Sequence, residues 1–154
     1  MKSLKIKDIS VKAKQGQYGI VFTSWNPSIV QDLLKETKKE LVSQGVDEAN
    51  IYLKEVPGAF ELPLATQFMA EKEGILSVIS LGAIIRGDTP HFDFISSSCL
   101  EGLQKVSLKT RIPVICGVLT TNTIEQAEER SNPNKMNKGK EFALTALNMV
   151  DSLS

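Results

Sequence analysis

The sequence contains a single histidine, His91, and two cysteines, Cys99 and Cys116. The cysteines lack CxxC spacing, and one histidine leaves too few ligands for an ordinary zinc site. We therefore expect no metal, and two reduced, buried thiols of the kind found in cytosolic proteins. Because the ordinary pKa of histidine is near ~6.5, His91 is the side chain expected to titrate closest to neutral pH.

The chain also lacks a net charge and long apolar runs. Lysine plus arginine equals aspartate plus glutamate at 18 each, which gives no electrostatic argument for nucleic acid or an anionic membrane as partner. The apolar run from Val114 to Leu119 is too short to span a bilayer, and the N-terminus shows no apolar core of a signal peptide. These features predict a cytoplasmic protein with little charge repulsion against self-association.

What is present is the composition of one globular domain. The 154 residues include 42% hydrophobic ones, which predicts a single domain over residues 1–154. Residues 1–14 are rich in lysine and are interpreted as an N-terminal arm. This arm is either a solvated segment or a short strand that pairs with a neighbouring chain. The strand interpretation depends on sparse apolar residues: Leu4, Ile6, Ile9 and Val11.

Apolar periodicity predicts alternating strands and helices after residue 16. Buried strands are expected over residues 18–23, 51–56, 76–85 and 114–119. Helices are expected over residues 28–44, about 60–73, about 93–109, about 124–130 and 138–153. Gly45 should end the first helix, and Thr123 with Gln126 matches a capping box. The alternation predicts an α/β fold, a three-layer αβα sandwich with a central parallel sheet.

Unusual residues follow the first two strands, where ligands of such sheets bind. Trp25, the only tryptophan, is either a core or interface aromatic or a stacking plate for a flat ligand. The prolines and glycine of residues 56–63 fix an unusual backbone that can present main-chain groups. Glu61 near a helix start is at least a favourable partner of the helix dipole.

The third and fourth strands are followed by residues suited to an anion. Residues 87–89 precede a helix and can offer main-chain amides, and His91 follows as either a structural residue or a proton carrier. Arg130 is either a solvated helix-end cation or a clamp for phosphate. Together these residues suit a flat heterocycle and a phosphorylated small molecule, without a P-loop, a dinucleotide fingerprint or a Ser-His-Asp triad.

Several of these motifs, taken in order, resemble the 6,7-dimethyl-8-ribityllumazine synthase family over Tyr18 to Val150. The matching motifs are Trp25-Asn26, residues 56–63, residues 82–93, residues 117–121 with 125–127, and Asn137-Lys138-Gly139. The resemblance implies a flavodoxin-like fold. It also implies condensation of 5-amino-6-(D-ribitylamino)uracil with 3,4-dihydroxy-2-butanone 4-phosphate, without cofactor or metal. The substrate amine attacks the ketone to form an imine, phosphate leaves, the ring closes and water is lost.

The resemblance also implies a role for each site residue. His91 is the proton carrier. The residues implied to bind the pyrimidine and its ribityl chain are Trp25, Asn26, Ala59, Phe60, Glu61, Ala83, Ile84, Ile85, Cys116 and Lys138. The butanone phosphate falls to Asp88, Thr89 and Arg130, with Asp88 contributing its main-chain N–H because its carboxylate would repel the anion.

Two departures from the family pattern concern the pocket. Cys116 stands where many members carry phenylalanine beside the pyrimidine, so this wall of the pocket is smaller. Residues 131–135 replace a stretch with glycine and lysine, which blurs the alignment of that lysine.

The resemblance further implies self-association. Family members form pentamers with sites between adjacent subunits, and many close into an icosahedral shell, with riboflavin synthase as a possible partner. Here Trp25 and His91 would come from one subunit and Cys116 and Arg130 from its neighbour. Members that stop at the pentamer tend to carry an insertion between the last two helices. This chain has none between Arg130 and Asn137, which favours the shell.

Two other classes remain open at this stage. An archaeal-type riboflavin synthase would convert the lumazine into riboflavin on the same fold. A non-enzymatic flavin carrier or shell protein would bind flavin without turnover, although His91 and Arg130 argue against it.

Overall fold

The computed structural model describes residues 8–154, which form six helices and four strands within that range. The elements are α1 (Val11–Lys14), β1 (Gln17–Thr23), α2 (Pro27–Ser43), β2 (Ile51–Val56), α3 (Leu62–Ala70), β3 (Ile75–Ile85), α4 (His91–Thr110), β4 (Val114–Thr121), α5 (Ile124–Ser131) and α6 (Lys138–Ser152). Short 3-10 turns at Glu48–Asn50 and Ala59–Glu61 precede β2 and α3.

The four strands form one parallel sheet in the order β2-β1-β3-β4. α2, α5 and α6 pack their apolar residues on one face, and α3 and α4 pack theirs on the other. The central strands β1 and β3 are buried almost throughout, as expected for parallel strands covered on both faces. The predicted three-layer αβα sandwich is confirmed, and the strand order is that of flavodoxin-like folds.

The register brings the last residues of the strands to one edge, here called the carboxyl edge. Thr23 pairs with Val56, and Ile85 pairs with Thr121. β3 is 11 residues long and continues past the end of β1, since Phe22 is already opposite Leu81. The loops after all four strands therefore leave from this edge.

Two predicted helix signals are confirmed. Gly45 closes α2 just after its last residue, Ser43, because it has a φ of 109° and donates its N–H to the Val42 carbonyl at 3.0 Å. The capping box starts α5, because the Thr123 hydroxyl accepts from the Gln126 N–H at 3.2 Å. The Gln126 side chain in turn accepts from the Thr123 N–H at 3.2 Å. Both ends therefore satisfy main-chain groups that a helix leaves unpaired.

The described part of the segment before β1 differs from the predicted short strand. Residues 11–14 form helix α1 instead of a strand, and Ile9 and Ala13 are buried against the body of the protein. Ser10 caps α1 and donates its N–H to Asp151 at 3.0 Å. The Ser10 hydroxyl and N–H together hold the pKa of the Asp151 carboxyl below its ordinary value. Leu4 and Ile6, the other residues of the predicted strand, lie outside the described residues.

Several predicted element limits need correction. α3 starts at Leu62 because Ala59–Glu61 takes a 3-10 turn first, and it ends at Ala70. α4 starts at His91. β4 continues to Thr121, because its last residues pair with the last residues of β3. On α2, Val42 is exposed.

Exposed apolar side chains gather at two places on the same side of the sheet. We call Phe60, Leu64 and Phe68, beside β2, the α3 face, and all three are more than 60% exposed. Phe94, Leu100 and Leu108, on α4 toward β4, form the α4 face. The α3 face lies toward the β2 edge of the sheet and the α4 face toward the β4 edge, since α3 contacts β2, β1 and β3 whereas α4 contacts β3 and β4.

Candidate active site

The loop after β1 is hydrogen-bonded to the end of β2 and to the residue that follows it. Ser24 donates its N–H to the Val56 carbonyl at 2.8 Å, and Trp25 donates to the Pro57 carbonyl at 3.3 Å. The Trp25 side chain is 71% exposed, and its ring lies against Gly58, where an added Cβ would be 3.8 Å from Cδ1. The glycine thus lets the indole stand close to the backbone while a large aromatic surface stays open.

The turn after β2 presents a second aromatic ring. Gly58 donates its N–H to Glu61 Oε2 at 3.0 Å, which closes the 3-10 turn Ala59–Glu61. Phe60 lies at the centre of this turn and is 66% exposed. Trp25 and Phe60 therefore project from neighbouring loops at the carboxyl edge, with the Glu61 carboxylate between the turn and solvent.

Main-chain groups line the crevice between the ends of β1 and β3. Because β3 continues past the end of β1, the residues from Gly82 to Ile85 pair with β4 and, among residues 8–154, have no strand partner on the β1 side. Asn26, held at a positive φ of 56°, donates its Nδ2 to the Ala83 carbonyl at 3.1 Å. Ala83, Ile84 and Ile85 therefore offer main-chain groups at this edge, with the Ala83 carbonyl already accepting one bond.

The loop after β3 carries the predicted anion-binding residues and the histidine. Residues 86–91 are all exposed, and His91 is the first residue of α4. Within residues 8–154, the side chains of Asp88, Thr89 and His91 make no hydrogen bond and no ion pair, which leaves them available to a ligand. An N-terminal helix dipole with free main-chain N–H groups favours an anion at the same place.

Arg86 is a residue that the sequence reasoning missed. It directly follows β3 and donates Nε to Asn122 Oδ1 at 2.9 Å, while Nη2 lies 3.5 Å from Asp93 Oδ1. Its guanidinium also stands over the Phe92 ring at 4.4 Å from the centroid. An arginine at a strand end, next to the loop that carries the histidine, was the signal available in the sequence.

Arg130 and Lys138 contact residues of their own helices, and Cys116 lies well before the carboxyl end of β4. Arg130 donates Nη1 to the Gln126 carbonyl at 2.9 Å, and among the described residues it makes no hydrogen bond with Asp88 or Thr89. Lys138 pairs with Glu141 at 2.6 Å at the start of α6. Cys116 is the third residue of β4, five residues before its carboxyl end, which corresponds to about 16 Å at ~3.3 Å per residue.

The cysteines differ in their surroundings. Cys99 is buried in α4, where burial and the nearby Cys116 raise the pKa of its thiol to about 12. Cys116 keeps an exposed surface on β4, although neighbouring atoms desolvate its thiol and raise its pKa. The prediction of two buried thiols is therefore wrong for Cys116. Within the described chain, β4 is an edge strand and nothing covers its outer side.

A cavity of 470 Å³ adjoins the site along the outer side of β2. Pro57 and Glu61 belong to both, and the rest of its lining is the apolar surface between β2 and α3 with Lys54 and Lys72. No group of three or more histidine, cysteine, aspartate or glutamate residues within residues 8–154 could hold a metal ion. None of the helices in that part of the chain is long and apolar enough to cross a membrane.

An exposed tryptophan, main-chain groups and an exposed histidine at the carboxyl edge of a parallel sheet are typical of an enzyme with an α/β fold. Residues 15–154 match the family model described as 6,7-dimethyl-8-ribityllumazine synthase. The chain belongs to this family. Its members are transferases that catalyse the condensation of 5-amino-6-(D-ribitylamino)uracil with 3,4-dihydroxy-2-butanone 4-phosphate in riboflavin biosynthesis.

Proposed function

We propose that the carboxyl edge of this chain carries out the family's condensation, with His91 as the proton carrier. The observation that supports this most directly is that Trp25, Phe60 and His91 leave the same edge of the sheet with open side chains. A flat ring held by the two aromatics and a phosphorylated ketone held at the start of α4 would meet beside the imidazole.

The proposal assigns the pyrimidine to the crevice between β1 and β3. Trp25 stacks on the ring, with Asn26 beside it. The main-chain groups of Ala83, Ile84 and Ile85 bind the ring edge, because no strand of the described chain occupies them on that side. Ala59, Phe60 and Glu61 contact the ribityl chain, and Glu61 keeps one carboxylate oxygen free for a sugar hydroxyl.

The ketone phosphate is assigned to the loop before α4. Its anion takes main-chain N–H groups of Asp88 and Thr89 together with the positive end of the α4 dipole. The Asp88 side chain is exposed and turns to solvent in this proposal, since a carboxylate facing the phosphate would repel it. Arg130 supplies the compensating positive charge through its planar guanidinium.

The proposed steps need proximity and proton transfer. The ring amine attacks the ketone and loss of water gives an imine between the substrates. Removal of a proton from the neighbouring carbon expels phosphate, and the resulting enol becomes a new ketone. The ribitylamino nitrogen attacks this ketone, and loss of a second water closes the ring. His91 accepts and returns the protons, and the substrates supply all reacting atoms without a cofactor or metal.

We further propose that a second copy of the chain completes the site. Arg130, Lys138 and Cys116 are assigned to the same ligands as Trp25 and His91, yet Arg130 and Lys138 contact residues of their own helices and Cys116 lies five residues before the carboxyl end of β4. The exposed α3 and α4 faces lie toward the two opposite edges of the sheet, so one copy's α4 face can cover the next copy's α3 face. Such a head-to-tail contact closes into a ring, here a pentamer, and pentamers into an icosahedral shell.

The proposal includes three further assignments, which concern the domain, the cellular location and a protein partner. The single domain extends over residues 1–154, with residues 1–14 as its N-terminal arm, and the part of this arm before α1 pairs with the outer edge of β2 on a neighbouring copy. The cytoplasm is the proposed location, because both cysteines are free thiols. Riboflavin synthase, which consumes the lumazine, is the proposed protein partner besides the chain itself.

The test is turnover by the purified protein with both substrates. We expect equal amounts of the lumazine and of inorganic phosphate, and neither without the pyrimidine. Since acid–base help contributes typically ~10²–10⁴-fold and the condensation has an uncatalysed background, His91→Ala should be slow but measurable. A wild-type rate for His91→Ala would remove the imidazole from the mechanism. Conversion of the lumazine itself into riboflavin would instead indicate a riboflavin synthase.

A further inference from the structure

Arg86 joins three elements at the carboxyl edge. Its main-chain N–H donates to the Thr121 carbonyl at 2.9 Å, which extends the pairing of β3 with β4. Its side chain then reaches Asn122 through Nε at 2.9 Å and covers the Phe92 ring. The end of β4 and the first turn of α4 are thus connected through one guanidinium.

The first turn of α4 begins without a side-chain cap. α4 is 20 residues long, and its N-cap is Pro90, which has no side-chain acceptor for the free N–H groups. An N-terminus without a capping side chain loses about 1 kcal/mol of helix stability and frays more readily. Phe92 is half-buried and packs on the core between α3 and α4, whereas His91 beside it is exposed.

The contacts of Arg86 also show what its side chain does not do. Nε is bonded to Asn122, Nη2 is directed to Asp93, and the flat face lies on Phe92. A guanidinium in these contacts has little freedom to turn and grip a phosphate with its bidentate fork. These contacts therefore indicate that Arg86 holds the first turn of α4 and does not bind the phosphate.

We propose that Arg86 is a positioning residue for His91. The guanidinium contacts Phe92, Asp93 and Asn122, and these contacts hold the first turn of α4 in place. The position of this turn sets the direction from which the His91 imidazole approaches the reacting carbon. This inference depends on the proposed role of His91 as proton carrier. A displacement of about 1 Å in a reacting group is enough to cost on the order of 10²-fold in rate, so the clamp matters to catalysis.

The first experiment compares Arg86→Met with Lys109→Met. The second variant also removes one positive charge, but from the last turn of α4, far from its first turn. We expect Arg86→Met to lower kcat about 10- to 100-fold with little change in the KM for the pyrimidine. Arg86→Lys should recover part of the loss, since it keeps the charge over Phe92 but not the Nε bond. Hydrogen exchange should quicken in residues 92–96 for Arg86→Met and stay unchanged for Lys109→Met. Unchanged kcat or unchanged exchange would overturn the proposal.

The second experiment is a double-mutant cycle with His91→Ala. If Arg86 acts through the imidazole, Arg86→Met should have almost no further effect on kcat once His91 is absent. An equal loss with and without His91 would show a merely structural role and overturn the inference alone. A wild-type rate for His91→Ala would instead overturn the proposed function. Should Arg86→Met fail to fold, Asn122→Ala removes only the acceptor of Nε and must show the same dependence on His91.

Discussion

At the scale of single residues, the assignment of Arg130 to the phosphate can be tested by substitution. Its bond to the Gln126 carbonyl leaves most of the guanidinium donors unused by the described residues. If it binds the phosphate, Arg130→Ala should weaken the ketone phosphate about 10- to 100-fold, the worth of a charge-assisted bond, and leave pyrimidine affinity nearly unchanged. Separate titrations with each substrate measure this, with Lys109→Ala as the charge-matched control. Equal losses for both substrates contradict the assignment.

Trp25 provides a second test at this scale. Because it is the only tryptophan, the intrinsic emission of the protein reports on this position alone. An exposed indole beside Gly58 should stack on the isoalloxazine ring, so riboflavin should quench the emission, whereas ribitol without the ring should not. Trp25→Phe should bind riboflavin more weakly, as followed by the flavin absorbance. Unchanged emission at high riboflavin would count against stacking here.

The residues of the site could be predicted from the sequence only in part. Trp25, Phe60 and His91 follow strands, and strand ends meet at one edge, so their proximity follows from topology. Arg86 was missed because its importance depends on side-chain contacts with Asn122 and Phe92, which no spacing reveals. Cys116 was expected to be buried, and its exposure depends on which strand lies at the sheet edge.

At the scale of elements, α6 approaches α2 closely at Gly139. A Cβ there would lie 2.7 Å from the Leu33 carbonyl and 3.0 Å from Glu36 Cβ, so Gly139→Ala must push α6 away from α2. We expect a loss of about 1–3 kcal/mol in unfolding free energy, seen as a lower melting temperature. Gly87→Ala is the matched control, because nothing lies within 4 Å of its added Cβ, and should change stability by less than about 0.5 kcal/mol. Equal melting temperatures for the two variants would show that α2 and α6 can separate freely.

The elements themselves follow closely from apolar periodicity and capping signals. All four strands and the five longer helices were predicted, because a buried parallel strand and a one-sided helix have distinct patterns. α1 was missed because its four residues are too few for a helical period, and its docking depends on Asp151, 141 residues away. The start of α3 was misplaced because a 3-10 turn and an α-helix share the same local residue types.

At the scale of the whole molecule, the proposal requires self-association. The α3 and α4 faces expose six large apolar side chains, more than scattered surface residues would explain. Light scattering or native mass analysis at neutral pH should show a particle far larger than a pentamer. A stable pentamer as the sole species would contradict the shell but keep the shared site. A fully active monomer would contradict both.

Mixed assemblies of His91→Ala and Arg130→Ala chains test most directly whether two copies build each site. When chains with different tags are co-expressed at equal amounts and assemblies with both tags are purified, roughly a quarter of the shared sites receive an intact His91 from one chain and an intact Arg130 from its neighbour. The account predicts that such assemblies recover about a quarter of wild-type turnover. Turnover that stays at the average of the two separate variants, in assemblies shown by native mass analysis to be mixed, would contradict it.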